Sequence, residues 1–205
     1  NYKVLTNGIL SIPQTRLDLI PENYEIVDKR ALVPVPFPDP KFGLRESQQP
    51  IYDAVKDTCF INALVGWGKT VCALFLAHKF GQKTLVITHT TALRDQWAEE
   101  VEALFGAPAG IIGGGRMDYE DHFITVANIQ TLVKHSDRLA SEFGMVIIDE
   151  AHHCPSTTFT DSLDKFKARY RIGLSGTMIR KDGKHAMFQD YFGDGVYQPP
   201  QSNTL

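Results

Sequence analysis

The chain has 205 residues, of which 43% are hydrophobic and 22% are charged. A chain of this length and composition can bury a sizeable core, which excludes a disordered tail, a collagen-like repeat and a disulfide scaffold. The 21 lysines and arginines against 24 aspartates and glutamates give a formal net charge of −3. This balance excludes a globally basic nucleic-acid coat but leaves room for a local basic face.

Cysteine use and hydropathy bear on the compartment. Three cysteines, an odd number without paired spacing, are typical of a reducing environment. No apolar run approaches the roughly 20 residues of a membrane span, and the first residues do not follow the pattern of a signal peptide. We therefore expect a cytoplasmic protein (nuclear if eukaryotic) with no membrane partner, and the compact spacing between the motifs described below favours a bacterium or a phage-infected cell. Because the chain begins with Asn1, we expect it to be a fragment.

The first 43 residues differ in composition from the rest. They contain six of the eleven prolines, and prolines alternate with apolar residues over 33–40. Proline fixes φ and biases the preceding residue towards β or polyproline II, so this stretch is predicted to be extended. We interpret 1–43 as the end of an upstream module followed by a stiff linker, and 44–205 as a separate domain.

From about residue 44, short apolar runs alternate with segments of helical period. The runs predicted to be strands are 59–64, 84–89, 123–128, 145–150 and 170–175. The segments predicted to be helices are 46–57, 69–80, 91–105, 128–142 and 156–168. This alternation predicts an α/β fold, a mainly parallel sheet with helices on both faces, whose ligands bind at the carboxyl ends of the strands. The glycine-rich stretch 110–115 is interpreted as a short flexible turn.

A glycine-rich sequence, ALVGWGKT at 63–70, follows the first predicted strand and opens into a helix. Gly66 and Gly68 let the backbone curl so that successive N–H groups point at one anion, to which the helix N-terminus adds positive charge. Lys69 can reach β- and γ-phosphate oxygens, and the Thr70 hydroxyl can ligate Mg²⁺. The full phosphate-loop pattern begins with glycine and here begins with alanine, but its place between a strand and a helix still predicts a nucleotide site.

An acidic pair, Asp149 and Glu150, ends the fourth predicted strand. Buried carboxylates are costly unless they face a cation or a functional cleft. Asp149 is suited to hold Mg²⁺, and Glu150 to orient and deprotonate the water that attacks a γ-phosphate. The alternative interpretation of the pair is a helix cap with favourable charge. Residues 152–154 (His, His, Cys) do not predict zinc, because three adjacent residues do not easily converge on one metal.

Together the motifs resemble those of superfamily 2 helicases and translocases of the DEAH-type branch. The resemblance covers about residues 44–195 and is nearest to phage recombination helicases, the repair helicase of the eukaryotic general transcription factor, and type I and III restriction motor subunits. The matching motifs are LRESQ (44–48), the phosphate loop, LVITHTTALRDQW (85–97), FITVANIQTL (123–132), DEAH (149–152) and LSGTMIRKDG (174–183). Each match is modest, whereas their joint order and spacing are specific.

The resemblance implies further roles around the nucleotide. It makes Gln48 the reader of the adenine edge, with Arg45 beside it and Gln49 as the alternative reader. Trp67 either packs as a lid on a neighbouring loop or stacks on a base or nucleotide. Residues that would couple hydrolysis to movement are His152, Ser175 and Thr177.

The resemblance also implies that a single strand crosses the top of the domain, held through its sugar–phosphate backbone. Residues at the loops facing that track are Thr90, Thr91, Arg94, Asn128, Gln130 and Arg180. A second basic segment, KFKARYR at 165–171, is either a backbone-contacting edge or a solvated helix end that enters a strand. We favour the second interpretation.

We therefore predict the first RecA-like P-loop NTPase domain of an ATP-dependent DNA helicase or translocase that uses ATP and Mg²⁺. Its expected partners are nucleic acid, with DNA favoured over RNA, and a second RecA-like domain of the same parent chain. That domain would supply arginine fingers, worth about 10³–10⁵ in rate in related hydrolases, so the fragment alone is expected to be weakly active. The alternatives are a restriction-type motor subunit that translocates duplex, an RNA helicase, and a non-catalytic nucleotide-binding adaptor.

Overall fold

The structure is a computed structural model that describes residues 3–4, 10–154, 156–177 and 185–200. The strands are β1 (Lys3–Val4), β2 (Leu10–Ser11), β3 (Cys59–Asn62), β4 (Thr84–Thr88), β5 (Gly110–Gly113), β6 (Arg116–Asp118), β7 (Ile124–Asn128), β8 (Met145–Ile148), β9 (Tyr170–Ser175) and β10 (Val196–Tyr197). The α-helices are α1 (Gln49–Ala54), α2 (Lys69–Phe80), α3 (Thr91–Phe105), α4 (Ile129–Lys134), α5 (Ser136–Leu139), α6 (Ser156–Asp161) and α7 (His185–Phe192). Short 3₁₀ helices cover Leu17–Leu19, Ala151–His153 and Leu163–Lys165.

Eight of the strands form one sheet in the order β10-β3-β9-β8-β4-β7-β5-β6. Every neighbouring pair is parallel except the hairpin β5–β6 at one edge. Buried residues of α1, α2 and α3 pack on one face of the sheet, and those of α4, α5 and α7 pack on the other. The predicted mainly parallel sheet with helices on both faces is thus confirmed. Among the described residues, no helix has both the length and the apolar character that crossing a bilayer requires.

The central strand β4 explains why the sheet was recognisable from the sequence. Its five residues are all buried, with Leu85 and Ile87 in the core on one face and Val86 in the core on the other. Because side chains alternate along a strand, a strand covered on both faces has to be apolar almost throughout. An uninterrupted apolar run between two helical segments is the result.

Two predicted helices agree with the structure and three are shorter than expected. The predicted helix 46–57 is limited to α1. The predicted segments 69–80 and 91–105 coincide with α2 and α3. The predicted helix 128–142 was wrong as one element, because His135 takes φ −122° and ψ 11° and separates α4 from α5. The predicted helix 156–168 is α6 followed by a 3₁₀ turn, after which the chain becomes extended.

The glycine-rich stretch 110–115 is not simply a flexible turn, so this prediction was wrong. Its first four residues form β5, which is buried and pairs with β7 on one side and β6 on the other. A Cβ on Gly110 would lie 2.5 Å from the carbonyl oxygen of Asp118 and 2.8 Å from the Thr125 hydroxyl. Glycine is needed there because neighbouring chains approach closely.

The second half of the proline-rich segment lies extended along the edge where the strands begin. The Val33 carbonyl accepts a hydrogen bond from the N–H of Lys83 at 2.7 Å, and the N–H of Lys41 donates to the Leu104 carbonyl at 2.7 Å. Between these two bonds along the chain lies Phe37, whose ring packs in an aromatic group at the C-terminal ends of α2 and α3. The division between extension and domain after residue 43 stays a prediction.

The basic segment 165–171 lies at the amino end of β9, away from the carboxyl ends of the strands. The Arg169 guanidinium pairs with both carboxylate oxygens of Asp57. Arg171 is buried and stacks over the Tyr191 ring, 4.1 Å from its centroid. These contacts favour a structural role for the segment over a nucleic-acid edge.

The tight packing around Gly173, in the middle of β9, gives a first prediction. A Cβ there would lie 2.5 Å from the Phe60 ring and 2.8 Å from the Phe192 ring. Gly173→Ala is therefore expected to lower the free energy of unfolding by about 1–3 kcal/mol through overpacking. Gly43→Ala is the control, because nothing lies within 4 Å of its Cβ position. Urea unfolding of both variants measures the difference, and equal stabilities would contradict the described contact of α7 with the sheet.

Candidate active site

The predicted motifs meet because their strands are neighbours and run parallel. β3, β9 and β8 are adjacent, with Asn62 opposite Ser175 at their carboxyl ends. The phosphate-loop sequence follows β3, and the acidic pair follows β8. The backbone of Ala63 donates to the Ser175 carbonyl at 3.1 Å, which ties the start of the loop to the end of β9.

The phosphate-loop sequence forms a curled turn against the start of α2. Gly66 and Gly68 take φ values of 87° and 95°, which residues with a Cβ rarely adopt. α2 begins at Lys69 without a side-chain cap, so the N–H groups of its first turn, including that of Thr70, are available to an anion. The Lys69 ammonium donates to the Ala63 carbonyl at 2.8 Å, within the loop itself. This geometry fits a phosphate group.

The Gln48 side chain packs against the phosphate loop and hydrogen-bonds to its backbone. Its side chain is buried, and its amide nitrogen donates to the carbonyls of Gly68 at 3.0 Å and Trp67 at 3.3 Å. Its amide oxygen accepts the N–H of Arg45 at 2.8 Å. Both amide hydrogens are therefore committed to the loop in this structure.

The neighbours of Gln48 divide between the loop and the surface. The Arg45 guanidinium donates to the Gly66 carbonyl at 3.3 Å, whereas the Gln49 amide is exposed and donates to Asp53. Trp67 packs partly buried against the core, and its indole nitrogen finds no hydrogen-bond partner among the described residues. Of the two glutamines, it is Gln48 that lies against the predicted nucleotide site.

Asp149 is buried at the end of β8 and accepts two hydrogen bonds. The indole N–H of Trp97 donates to one carboxylate oxygen at 2.8 Å, and the backbone N–H of Glu150 donates to the other at 2.9 Å. Burial raises the pKa of the Asp149 carboxyl, while the hydrogen bond from Trp97 and the charge of Lys69 oppose that rise. Sequence reasoning gave Trp97 no role. The available signal was that the indole N–H of a buried tryptophan usually finds a hydrogen-bond partner, which predicts a polar group beside it.

Glu150 connects the end of β8 with the end of β9. Its φ of 46° is the only positive value of a non-glycine residue in the described part of the chain, a conformation that costs about 1–3 kcal/mol. Its carboxylate accepts the N–H of Gly176 at 3.3 Å and lies 3.2 Å from Nδ1 of His152. The same nitrogen lies 2.8 Å from the Ser175 hydroxyl, which in turn accepts the N–H of Thr177 at 3.2 Å. The three predicted coupling residues thus form one network with the predicted base.

Lys69 and Glu150 face the same small space. A Cβ added to Gly176 would lie 3.3 Å from the Lys69 nitrogen and 3.5 Å from a carboxylate oxygen of Glu150. An ammonium group and a carboxylate that flank an open position at a phosphate loop can bind a phosphate and activate a water beside it.

The residues predicted to hold nucleic acid lie at the carboxyl ends of β4 and β7, on the same edge of the sheet. Thr90, Thr91 and Gln130 are exposed there. The Thr90 hydroxyl caps α3 by accepting the N–H of Leu93, and the Gln130 amide donates to the His89 carbonyl at 3.1 Å. Arg180 lies outside the described residues.

Arg94 and Asn128 face each other rather than solvent. The Arg94 guanidinium donates to the Asn128 side-chain oxygen at 3.1 Å and also pairs with Asp95. Sequence reasoning interpreted 110–115 as a turn but gave it no part in this site, where Gly113 packs so closely that a Cβ would lie 2.6 Å from the same Asn128 oxygen. The run of three glycines between two apolar stretches was the signal for this turn.

Comparison with known proteins identifies the family. The family model described as "Type III restriction enzyme, res subunit" matches residues 41–180. The chain belongs to this family. It is similar to the probable helicase D10 of Escherichia phage T5, with 53% identity over 209 residues that cover all of this chain and 46% of that protein. It is also similar to the DNA 3'-5' translocase XPB2 of Sulfurisphaera tokodaii, with 32% identity over 176 residues that cover 84% of this chain and 40% of that protein.

The fold is likewise shared with solved helicase structures. The UvsW helicase from bacteriophage T4 superposes with a TM-score of 0.68 and 24% identity, over 76% of this chain and 60% of that one. The SWI2/SNF2 ATPase core of Sulfolobus solfataricus, solved with double-stranded DNA, superposes with a TM-score of 0.65 and 21% identity, over 78% of this chain and 38% of that one. At these identities the likeness concerns the fold, which is the RecA-like fold predicted above.

The predicted membership of the superfamily 2 helicases and translocases is confirmed. ATP use and nucleic-acid binding follow from this membership at the level of the family. The chain spans less than half of the length of the two curated relatives named above. The activity of the whole protein, its substrate and the roles of single residues are therefore matters for a proposal.

The packing of Gln48 under the loop gives a second prediction. Gln48→Ala would leave the N–H of Arg45 and the Trp67 carbonyl without a partner, whereas the Gly68 carbonyl would keep the N–H of Cys72. We therefore expect a loss of about 1–3 kcal/mol in the free energy of unfolding. Gln49→Ala is the matched control, because it removes only an exposed hydrogen bond and should change stability by less than about 0.5 kcal/mol. Urea denaturation compares the two. A Gln48→Ala variant as stable as the control would show that the loop does not depend on this amide.

Proposed function

We propose that this chain is the ATP-binding motor domain of a DNA helicase or translocase, which hydrolyses ATP to move on or remodel DNA. The observation that carries the proposal is the meeting of Lys69 and Glu150 at the mouth of a curled phosphate loop. We expect the protein to act in the cytoplasm of a bacterium or of a phage-infected cell.

The phosphates of ATP would bind to the loop at Gly66 and Gly68 and to the N-terminus of α2. Lys69 would exchange its bond with the Ala63 carbonyl for β- and γ-phosphate oxygens, which are stronger partners because they are charged. For Gln48 to read the adenine edge with its N–H, at least one of its bonds to the loop has to be exchanged for the base. Arg45 and Trp67 are the side chains that would border the base from the loop side.

Mg²⁺ would be held by the Thr70 hydroxyl and the Asp149 carboxylate. The donor set fits the ion, because Mg²⁺ takes oxygen ligands and usually one or two carboxylates together with substrate phosphates. When bound, the ion would neutralise charge on the phosphates. Glu150 would then orient the attacking water and accept its proton.

Hydrolysis would be coupled to movement through the network that joins Glu150, His152, Ser175 and Thr177. A change at the γ-phosphate alters what the Glu150 carboxylate bonds to, and the Gly176 N–H is one of those bonds. The loop after β9 would therefore respond to the state of the nucleotide. We propose that a second RecA-like domain of the parent chain faces this loop and completes the site with arginine side chains.

The nucleic acid would cross the carboxyl ends of β4 and β7, where Thr90, Thr91 and Gln130 present small polar groups to its backbone. Arg94 and Asn128 lie behind them and are bonded to each other, so their direct contact with phosphate would require that pair to open. Arg180 is proposed as a further contact. The names of the relatives, a phage helicase and a DNA 3'-5' translocase, favour DNA over RNA.

A second candidate function is translocation on duplex without strand separation. It is favoured by the family description, which is that of a restriction-enzyme subunit. Both candidates use the same ATP site, so the polymer that stimulates hydrolysis separates them. A non-catalytic adaptor would keep the fold without the hydrolysis.

A third prediction tests the ATP site. In the complete parent protein, Glu150→Gln should lower kcat for ATP hydrolysis by about 10²–10⁴-fold because it removes the base, and Lys69→Ala should abolish productive ATP binding. Glu142→Gln, an exposed carboxylate before β8, is the matched control and should leave the rate unchanged. The measurement is steady-state ATPase with single-stranded DNA, duplex DNA, branched DNA or RNA added.

The pattern of stimulation then decides between the candidates. Stimulation by single-stranded or branched DNA supports the helicase, stimulation by duplex alone supports the restriction-type motor, and stimulation by RNA alone moves the substrate to RNA. If Glu150→Gln hydrolyses ATP as fast as Glu142→Gln, the proposed base is wrong and the non-catalytic adaptor is favoured.

A fourth prediction concerns the nucleic-acid face. Thr91→Glu places a negative charge at the first residue of α3, where it does not disturb the helix. We expect binding of a single-stranded oligonucleotide to weaken about fivefold at low salt, since like charges about 4 Å apart in water repel by about 1 kcal/mol, and the effect should shrink as salt is added. Ser141→Glu adds the same charge on the exposed loop before β8, at the opposite end of the sheet. Equal weakening by both variants would place the strand elsewhere.

A further inference from the structure

Trp97 makes a contact that neither the motifs nor the proposed function assigns. It lies on α3, one turn beyond Arg94, and only 1% of its surface is exposed. Its indole N–H points out of the apolar core to the Asp149 carboxylate, 2.8 Å away. A residue from the helix beneath the nucleic-acid face thus reaches the carboxylate proposed to hold the ion.

We propose that Trp97 is a positioning residue, whose indole N–H fixes the Asp149 carboxylate in the orientation that Mg²⁺ requires. This inference rests on the proposed function, since it concerns the same carboxylate.

The first step of the argument is the number of partners that a buried carboxylate needs. Each oxygen of an ionised carboxylate can accept about two hydrogen bonds or ligands. At Asp149 one position on each oxygen is occupied, by Trp97 on one and by the N–H of Glu150 on the other. One position on each oxygen is left for an ion or its water, and rotation of the carboxylate is prevented from both sides.

The second step of the argument is the rigidity of the donor. Trp97 belongs to the core cluster formed with Val101, Leu104 and strand residues such as Val86. An indole ring held on all sides cannot follow a carboxylate that rotates, so it defines where the carboxylate has to be. A hydroxyl or amide on a surface side chain would give the same bond without this constraint.

Trp97→Phe is the test, because it keeps a buried aromatic ring and removes the donor. Phe105→Leu is the matched control, since Phe105 is buried on the same helix but packs with Phe37 and Phe123. Both variants are expected to lose some thermal stability. Only Trp97→Phe should alter the metal site.

The first readout needs no metal or nucleotide. The chain has two tryptophans, so its ¹H–¹⁵N spectrum contains two indole signals, and the one that disappears in Trp97→Phe belongs to Trp97. We expect Asp149→Asn to move the Trp97 indole signal while Phe105→Leu leaves it in place. A Trp97 signal that is the same with aspartate and asparagine at position 149 would overturn the inference, because the bond would then not depend on the carboxylate.

The second readout is binding of Mn²⁺, a probe for Mg²⁺, with a non-hydrolysable ATP analogue, followed by electron paramagnetic resonance. Loss of a partner that orients a metal ligand typically weakens metal binding about 10–100-fold, and we expect this for Trp97→Phe and less than about twofold for Phe105→Leu. Asp149→Asn should weaken Mn²⁺ binding at least as much. If Asp149→Asn weakens it and Trp97→Phe does not, the inference is wrong and the proposed function stands. If Asp149→Asn itself has no effect, the proposed metal ligand is wrong.

Discussion

The functional edge of this domain depends on one constraint, the parallel pairing of β3, β9 and β8. The register sets Asn62 opposite Ser175, and β8 follows on the other side of β9. Parallel strands end at the same edge, so each contributes its following loop to one place. The ammonium of Lys69 and the carboxylate of Glu150, 81 positions apart in the chain, meet because their strands are separated by a single strand. If the pairing moved by one strand, the two groups would be too far apart to share a phosphate.

The polar groups at this edge are bonded to one another. Lys69 donates to the Ala63 carbonyl, Gln48 donates to the Gly68 carbonyl, and the Glu150 carboxylate accepts the N–H of Gly176. Buried polar groups without partners are costly, so these bonds stabilise the free domain. A nucleotide at the proposed site would therefore bind by exchange, replacing bonds to neutral carbonyls with bonds to charged oxygens. The gain would come from the charge of the ligand.

The sequence was sufficient for the five central strands of the sheet and for the motifs, because both leave local signals. The apolar run of β4 and the capped, periodic segment of α3 can be read without knowing their neighbours. The missed features depend on contacts between distant segments. Gly110 is a strand residue because the backbone of Asp118 approaches it, and the indole of Trp97 finds its partner 52 positions away. No local sequence pattern predicts either of these two contacts. The motif resemblance named the residues around the proposed nucleotide site. Only the packing showed which of the two glutamines contacts the phosphate loop.

The same edge carries two surfaces that meet between β8 and β4. The proposed nucleotide side is built on β3, β9 and β8, and the proposed nucleic-acid side on β4, β7 and β5. The two strands at the boundary pair along their length, and β4 also receives the backbone bond from Asp149 at its Ile87 carbonyl. α3, which begins just after β4, adds a side-chain link through Trp97. A displacement of α3 by a bound strand would therefore reach the carboxylate of Asp149 through a rigid ring and one hydrogen bond. The carboxylate proposed to hold the ion is thus the point where the two surfaces of the domain are in direct contact.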